Sequence, residues 1–311
     1  MPISANALVK RFMTYRWFNS PIFQRWAGVS PSLQEGKVPI SIDLLVKRIK
    51  VDRCFSHPIF DNWAMSNPDP LTIAALFHQL QLFCSSTRQG WHFPTALKDL
   101  GLSVQGKLMT EIVDSESNHG SALAMMAGHI VNRSARRTIC PNIGDQKAVE
   151  RQLKEFSDSI FANSPGYNRD TGLTGQARQA VAVFERRKLS DRRSTYKNLG
   201  TTLALELVAN QILIPGMKVC LVDSSLYGVT LDEPEMHYLL EHWGEIGAEQ
   251  QHERKAVAAV ATALNESTQA DIVAGIDEFL VSLVRLLDVM NEALRASWLL
   301  RCCQSTCVCA R

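Results

Sequence analysis

The chain has 311 residues, a formal net charge of +2 and 46% hydrophobic residues. That length can bury a sizeable core, and the near-neutral charge gives no reason to expect binding to nucleic acid or to an acidic membrane. The amino-terminal residues lack the apolar core of a signal peptide, and no apolar run reaches the roughly 18 residues that span a bilayer. The sequence therefore predicts a cytoplasmic protein.

Helical periodicity dominates the first half of the chain. Asp69-Pro70 is typical of an N-cap followed by the first helical residue, because proline presets φ and lacks an amide hydrogen that would be unpaired there. A second helix is predicted over residues 103–114. The polar run 115–118 favours a break, because its side chains compete for backbone hydrogen bonds. His119 is therefore expected to open a third helix.

Residues 134–197 are polar and basic, and they are predicted to form an insertion with surface helices over 149–161 and 176–187. Short basic runs are usually solvated helix faces. The insertion separates two core regions, 55–135 and 198–300, of a single domain. Residues 1–54 are expected to be an amino-terminal extension.

The second half has longer apolar helices. One is predicted over 198–214, ended by Pro215-Gly216, and another runs from about Pro234 to Leu264. A final helix places one apolar stripe over 272–294. Strand signals are limited to residues 218–222, so the sequence predicts an all-α bundle of seven to nine helices.

Eight cysteines divide into two groups. The four scattered ones are expected to be buried thiols of a reducing compartment: Cys54, Cys84, Cys140 and Cys220. The other four form a Cys-rich tail within residues 301–311 that lacks the paired spacing of zinc sites. This tail is expected to lie beyond the last helix of the bundle.

Two Glu-x-x-His pairs form the chemically most informative pattern: Glu116 with His119, and Glu249 with His252. This spacing places a carboxylate and an imidazole on one helix face. Two such pairs, with one more glutamate from each of two other helices, are the ligand set of di-iron carboxylate proteins. Glu206, between two leucines, is one candidate for the additional glutamates. The alternative is that Glu206 pairs with an arginine or lysine and that the histidines are satisfied core residues.

The carboxyl-terminal pair has two further candidates beside it. Glu245 lies four residues before Glu249, and His242 lies three residues before Glu245. On one continuous helix all of them would share a stripe with His252. Carboxylate oxygens and imidazole nitrogens without thiolate suit Fe(II) or Mn(II).

Several short segments resemble the haem-oxygenase-like di-iron oxidases. In the first half these are His57-Pro-Ile-Phe, Asp69-Pro-Leu-Thr-Ile and the run from Glu111 to His119-Gly-Ser-Ala-Leu. In the second half they are Gly200-x5-Glu206 and Glu245-x3-Glu249-x2-His252. The resemblance covers about residues 55–135 and 198–300, and it implies a haem-oxygenase-like bundle that binds two irons and uses O2.

The resemblance also implies a ligand set. The first carboxylate falls on Glu111 or Glu116, the first imidazole on His119 and the central carboxylate on Glu206. The last-helix pattern of the family is usually His-x3-Asp-x2-His, where this chain has Glu245, Glu249 and His252. Here a carboxylate replaces one imidazole, and His242 is the alternative that would restore the nitrogen ligand.

The expected function is O2-dependent oxidation of unactivated C–H bonds in a small aliphatic substrate, as in natural-product biosynthesis. A free amino acid is favoured, with desaturation or cyclisation as the reaction, because Arg133, Tyr196 and Lys197 could bind its carboxylate. Two Fe(II) ions and O2 are the expected cofactors, and an external electron donor and a homodimeric state are further expectations. The alternatives are a metal-free helical binding protein and a fatty-acid-cleaving oxidase of the same fold.

Overall fold

The computed structural model describes residues 40–87, 90–116, 119–244 and 247–308. All of them belong to one compact unit, residues 39–311. The predicted all-α bundle is confirmed: within the described ranges the only β pairing is an isolated bridge between Asn168 and Leu173. Most of the predicted amino-terminal extension lies outside the described residues.

The described residues form more helices than the sequence predicts, because turns divide several of the predicted ones. In chain order the α-helices are α1 (Ile42–Lys50), α2 (Ile59–Ser66), α3 (Pro70–Thr87), α4 (His92–Asp99), α5 (Ser103–Ser115), α6 (His119–Ala135), α7 (Gln146–Phe161), α8 (Gly175–Glu185), α9 (Arg192–Val208), α10 (Ile214–Lys218), α11 (His237–His242), α12 (Ala248–Ala263) and α13 (Gln269–Val308).

The predicted start of α3 is confirmed. Asp69 precedes Pro70, and its carboxylate accepts hydrogen bonds from the amides of Leu71 and Thr72. It also accepts a hydrogen bond from Ser297 on α13. The N-cap therefore satisfies the first free amides of α3 and links this helix to the last one.

Helices α9 and α13 cross with their backbones in close contact. A Cβ atom added to Gly200 would lie 1.9 Å from the carbonyl oxygen of Ile272, and one added to Gly275 would lie 1.9 Å from that of Lys197. Only glycine fits at either position, because any side chain would separate the two helices. This contact holds α9, which carries Glu206, in the middle of the bundle.

The prediction that residues 134–197 form surface helices is wrong in one respect, because the inner faces of these helices are buried in the core. Leu153 and Phe161 on α7 and Phe184 on α8 belong to the main hydrophobic core. Phe184 contacts Phe83 edge-on, with ring centroids 5.9 Å apart. Most of the polar residues that suggested an insertion lie on the outer faces, as in any amphipathic helix, but Arg187 is buried.

Pro215 does not end the helix that carries Glu206. The chain continues from α9 through a π-helical turn (Ala209–Leu213) into α10, and then through a second π-helical turn (Val219–Asp223). The wider turns accommodate a proline that cannot donate a backbone hydrogen bond. The strand suggested for residues 218–222 is therefore helical instead.

The continuous stretch 192–223 is long and apolar enough to cross a membrane by length and composition. Half of its most apolar window is buried inside the bundle, which is the situation of a core helix.

The long helix predicted from Pro234 to Leu264 is also divided. A short 3₁₀ turn leads into α11, which ends at His242, and α12 begins only at Ala248. Gly244 adopts a positive φ of 96°, which favours glycine, and a Cβ on Gly247 would lie 2.6 Å from the carbonyl oxygen of His242. The two glycines therefore allow the chain to turn between α11 and α12.

The final helix extends further than the sequence predicts. The backbone of α13 is helical to Val308, so most of the predicted tail continues this helix. Cys309 lies outside the described residues, as do the side chains of the other three tail cysteines.

Candidate metal centre

Three buried side chains from different helices converge in the interior. Glu116 lies directly after α5, Glu206 lies on α9 and His252 lies on α12. One potential ligand atom from each lies within 4.8 Å of the other two. Because Glu116 ends one helix while Glu206 and His252 lie within two others, the packing of α5, α9 and α12 sets their separation.

The hydrogen bonds of His252 direct one ring nitrogen at the carboxylates. Its Nε2 is 2.6 Å from the Ser115 hydroxyl, which itself donates to the carbonyl oxygen of Ile112. A hydroxyl that already donates its proton must accept here, so Nε2 carries the hydrogen. Nδ1 therefore presents a lone pair, has no hydrogen-bond partner, and lies 3.6 Å from Oε2 of Glu206.

A second histidine is arranged in the same way. The Nδ1 atom of His242 donates to the carbonyl oxygen of Tyr238, at 2.5 Å. Its Nε2 lies 3.7 Å from Oε1 of Glu249. Both separations are too long for a hydrogen bond, and they match the spacing of two ligands that each lie about 2.0–2.2 Å from a shared ion.

If all three carboxylates were ionised, they would carry more negative charge than the surrounding protein compensates. Burial, followed by the negative charges of Glu116 and Glu249, raises the pKa of Glu206 well above its ordinary value. Burial and the charge of Glu116 raise the pKa of Glu249 to about 8. Burial also lowers the pKa of His252 to about 4, so this imidazole is neutral at neutral pH and suited to ligation.

Arg187 is the buried cation nearest to this group. Burial lowers its pKa to about 10, so it remains charged at neutral pH, and the charges of Glu116 and Glu206 act on it. Its guanidinium, however, donates to the carbonyl oxygen of Thr87 and to the Thr202 hydroxyl rather than to a carboxylate. One guanidinium cannot balance three carboxylates, so ionised forms of all three leave a net charge of −2 that a divalent cation would neutralise.

A small cavity of about 50 Å³ borders Glu116, Glu206 and Glu249. Its apolar wall is formed by residues of α2, α3, α9, α10 and the π-helical turn between the last two: Phe60, Leu80, Phe83, Leu205, Leu213 and Met217. Such a volume holds O2 or a few carbon atoms, being about a third of an engineered 150 Å³ cavity that binds benzene. The cavity thus places a mainly apolar space directly beside the carboxylates.

Of the two glutamates predicted as ligands in the first half of the chain, the structure places Glu116 in the cluster and Glu111 outside it. Glu111 does not join the cluster: its side chain is 41% exposed and forms an ion pair with Lys255, at 3.2 Å. Glu116 is the buried one, because the helix ends between the two glutamates. His119 opens α6 as predicted, but its side chain lies outside the described residues. Glu245 lies outside them altogether.

The three residues predicted to bind a substrate carboxylate do not line the cavity. Arg133 pairs with Glu233, at 3.2 Å, and Lys197 pairs with Glu278. Tyr196 is buried in the core instead, because it lies on the inward side of α9.

Several residues of the centre were not predicted from the sequence. Ser115 was interpreted only as part of a helix break, and Arg187 as part of a solvated basic run. Tyr238 precedes His242 by one helical turn, and that spacing could have indicated its carbonyl as the histidine's acceptor. Cys84 lines the cavity but carries no sequence signal that distinguishes it from the other buried cysteines.

A second group of potential ligands lies near the surface. His129, Glu233 and Glu235 are all partly exposed, and Glu233 already accepts hydrogen bonds from His129 and Arg133. This group is therefore internally satisfied as an ion-pair network that joins α6 to the turn before α11.

Comparisons with known proteins do not assign the chain to a family. No family model, curated protein or solved structure matches it.

Proposed function

We propose that the chain is a non-haem iron protein that uses O2 to oxidise a small aliphatic substrate. The observation that carries the proposal is the geometry of His252 and Glu206, in which a lone pair of Nδ1 faces a buried carboxylate at 3.6 Å. Two acceptors without a hydrogen between them repel each other, unless a cation or a proton on the carboxylate intervenes. A gap of similar size separates Nε2 of His242 from Oε1 of Glu249, at 3.7 Å.

The donor set favours iron or manganese over zinc. The candidate ligands are carboxylate oxygens and imidazole nitrogens, which suit Fe(II) and Mn(II). The cavity does contain one thiol, that of Cys84, but burial raises its pKa to about 12 and keeps it protonated. Glu116, Glu206 and His252 would hold one ion, and Glu249 with His242 would contribute to a second.

The protein's own part in the reaction is to position the metal ligands and to exclude water. When bound, the iron would supply the capacity to activate O2. Ser115 fixes the tautomer of His252, and the carbonyl of Tyr238 fixes that of His242. The apolar wall keeps water away from the reacting C–H bond. An alkyl segment is therefore the part of a substrate that this cavity would accept.

Iron binding tests the proposal directly. The metal-free protein is titrated with Fe(II) without oxygen, bound iron is measured after gel filtration, and O2 uptake is then recorded. We expect tight iron binding that Glu206→Ala and His252→Ala each reduce strongly, with helical circular dichroism retained. Glu111→Ala is the matched control and should bind iron like the wild type, because Glu111 lies outside the cluster.

Two results would contradict the proposal. Wild-type protein that binds neither Fe(II) nor Mn(II) would favour a metal-free binding protein. Full iron binding by Glu206→Ala would place the ion elsewhere. For the substrate we propose to compare aliphatic amino acids with fatty acids, scoring which of them accelerates O2 uptake.

A further inference from the structure

The π-helical turn that follows α9 is bound to α12 through the side chain of Glu253. The carboxylate of Glu253 accepts a hydrogen bond from the side-chain amide of Asn210, and Nε2 of Gln211 lies 3.0 and 3.1 Å from its two oxygens. Both amides belong to the π-helical turn Ala209–Leu213. Consecutive residues of a regular α-helix do not face each other, yet here two neighbours bind one carboxylate. We call these hydrogen bonds the Glu253 clamp.

The Glu253 clamp joins the two helices that carry Glu206 and His252. Glu253 directly follows His252 on α12, and Asn210 lies four residues after Glu206, in the turn that continues α9. Four residues of a helix span about 6 Å, which is roughly one turn. The clamp therefore ties α9 to α12 within about one helical turn of both candidate ligands.

Glu206 and His252 do not fix their own separation. Oε2 of Glu206 and Nδ1 of His252 lie 3.6 Å apart, which is too long for a hydrogen bond. Both residues are only 2% exposed, and Oε1 of Glu206 and Nδ1 of His252 have no hydrogen-bond partner. Their separation must therefore come from the backbones of α9 and α12. A site that already has its final geometry loses less free energy when its ligand binds.

The Glu253 clamp also fixes part of the cavity wall. Ala209 and Leu213, from the same π-helical turn as the two amides, line the cavity together with Glu206. A shift of this turn would therefore displace the wall of the cavity as well as the end of the helix that carries Glu206.

We propose that Glu253 is a positioning residue of the metal centre, which keeps Glu206 and His252 at the separation that an ion requires before the ion is bound. This inference rests on the proposed iron site. Glu253 does not belong to the buried ligand cluster, and its carboxylate binds the two amides instead. It therefore acts through the backbones of α9 and α12. Loss of the clamp should weaken ion binding and change the arrangement of the ligands without removing a ligand.

A titration of the metal-free protein with Co(II) measures both effects without measuring enzyme turnover. Co(II) binds to the same types of nitrogen and oxygen ligands as Fe(II), and its visible absorption bands change with the positions of those ligands. We expect Glu253→Ala to bind Co(II) about tenfold more weakly than the wild type and to shift these bands, since the loss of a residue that supports metal ligands typically lowers affinity by this order. Glu253→Gln should recover part of the affinity, because its amide oxygen can still accept from Asn210 or Gln211.

The double variant Asn210→Ala/Gln211→Ala removes the same hydrogen bonds from the other helix. It should reproduce the weaker Co(II) binding and the shifted bands of Glu253→Ala. Combining all three substitutions should cause little further loss, because residues that act through one shared contact are not additive. Arg254→Ala is the matched control: Arg254 is the next residue of α12, it is exposed, and it bonds to Gln250 within the same helix. This variant should bind Co(II) like the wild type.

The outcomes separate this proposal from the proposed function. Wild-type affinity and unchanged bands in Glu253→Ala and in the double variant would overturn the positioning role and leave the metal site intact. An equal loss in Arg254→Ala would show a general weakening of α12 and would overturn it as well. If Glu253→Ala does not fold, the double variant decides the question. Wild-type protein that binds neither Co(II) nor Fe(II) would contradict the proposed function, and the positioning role would fail with it.

Discussion

Replacing Glu249 by glutamine should stabilise the metal-free protein and should also remove part of its dependence on pH. The pKa of Glu249 is raised from 4.5 to about 8, by burial first and then by the charge of Glu116. The unfolded chain releases this proton above pH 4.5, whereas the folded protein keeps it until about pH 8. The folded state therefore binds more protons in this window, and the free energy of unfolding falls as pH rises through it.

The size of the effect follows from the two pKa values. Their difference of about 3.5 units corresponds to about 5 kcal/mol over the whole window. The interval from the unfolded pKa of 4.5 to pH 7 covers about 2.5 of these units, so Glu249 should destabilise the metal-free protein at pH 7 by about 3 kcal/mol. Glutamine has nearly the shape of the protonated acid but cannot ionise. Glu249→Gln should therefore match the wild type near pH 4.5 and exceed it by about 3 kcal/mol at pH 7.

Urea unfolding followed by circular dichroism, with a chelator present, measures this difference at a series of pH values. Glu111→Gln is the control, because that partly exposed carboxylate pairs with Lys255 and should show no such gain. Adding Fe(II) should reverse the order, since the wild type gains stability from the ion and the variant gains less. Equal or lower stability of Glu249→Gln at pH 7 would refute the reasoning.

Substitutions at three further positions test the backbone that positions the centre. Gly247→Ala should separate α11 from α12, because its Cβ would lie 2.6 Å from the carbonyl oxygen of His242. In an iron titration, this variant should lose the iron that His242 helps to bind and keep the iron bound by the other ligands. Gly275→Ala should cost about 3 kcal/mol in urea unfolding, because its Cβ would lie 1.9 Å from the carbonyl oxygen of Lys197. Asp69→Ala should cost about 1–2 kcal/mol in the same assay through loss of the N-cap, and Asp69→Asn about half as much.

The sequence predicts those parts of the fold that depend on local signals. The start of α3 at Pro70 follows from a cap and a proline, and the start of α6 at His119 follows from a run of polar residues. The buried position of Glu206 follows from its apolar neighbours. In each case the information lies within a few residues of the feature, so one chain segment is sufficient to detect it.

The errors arise where contacts distant in sequence decide the outcome. Pro215 predicts a helix end, but the packing of the apolar stretch 192–223 in the bundle keeps it helical through two π-helical turns. Arg187 belongs to a run that looks solvated, yet it is buried because α8 packs against the core. Glu111 pairs with Lys255, and His252 contacts Ser115. Sequence spacing cannot reveal these partners, because each lies on a different helix.

The turn between α11 and α12 is what brings His242 close to Glu249. On one continuous helix, seven residues separate His242 from Glu249, which at 1.5 Å per residue places them about 10.5 Å apart along the axis. Side chains so separated share a face but cannot share an ion. The glycine-containing turn folds the end of α11 back towards the start of α12, and Nε2 of His242 then lies 3.7 Å from Oε1 of Glu249. His242 and Glu249 would be too far apart on a straight helix to bind one ion. Because the helix is interrupted between them, their side chains come close enough to do so.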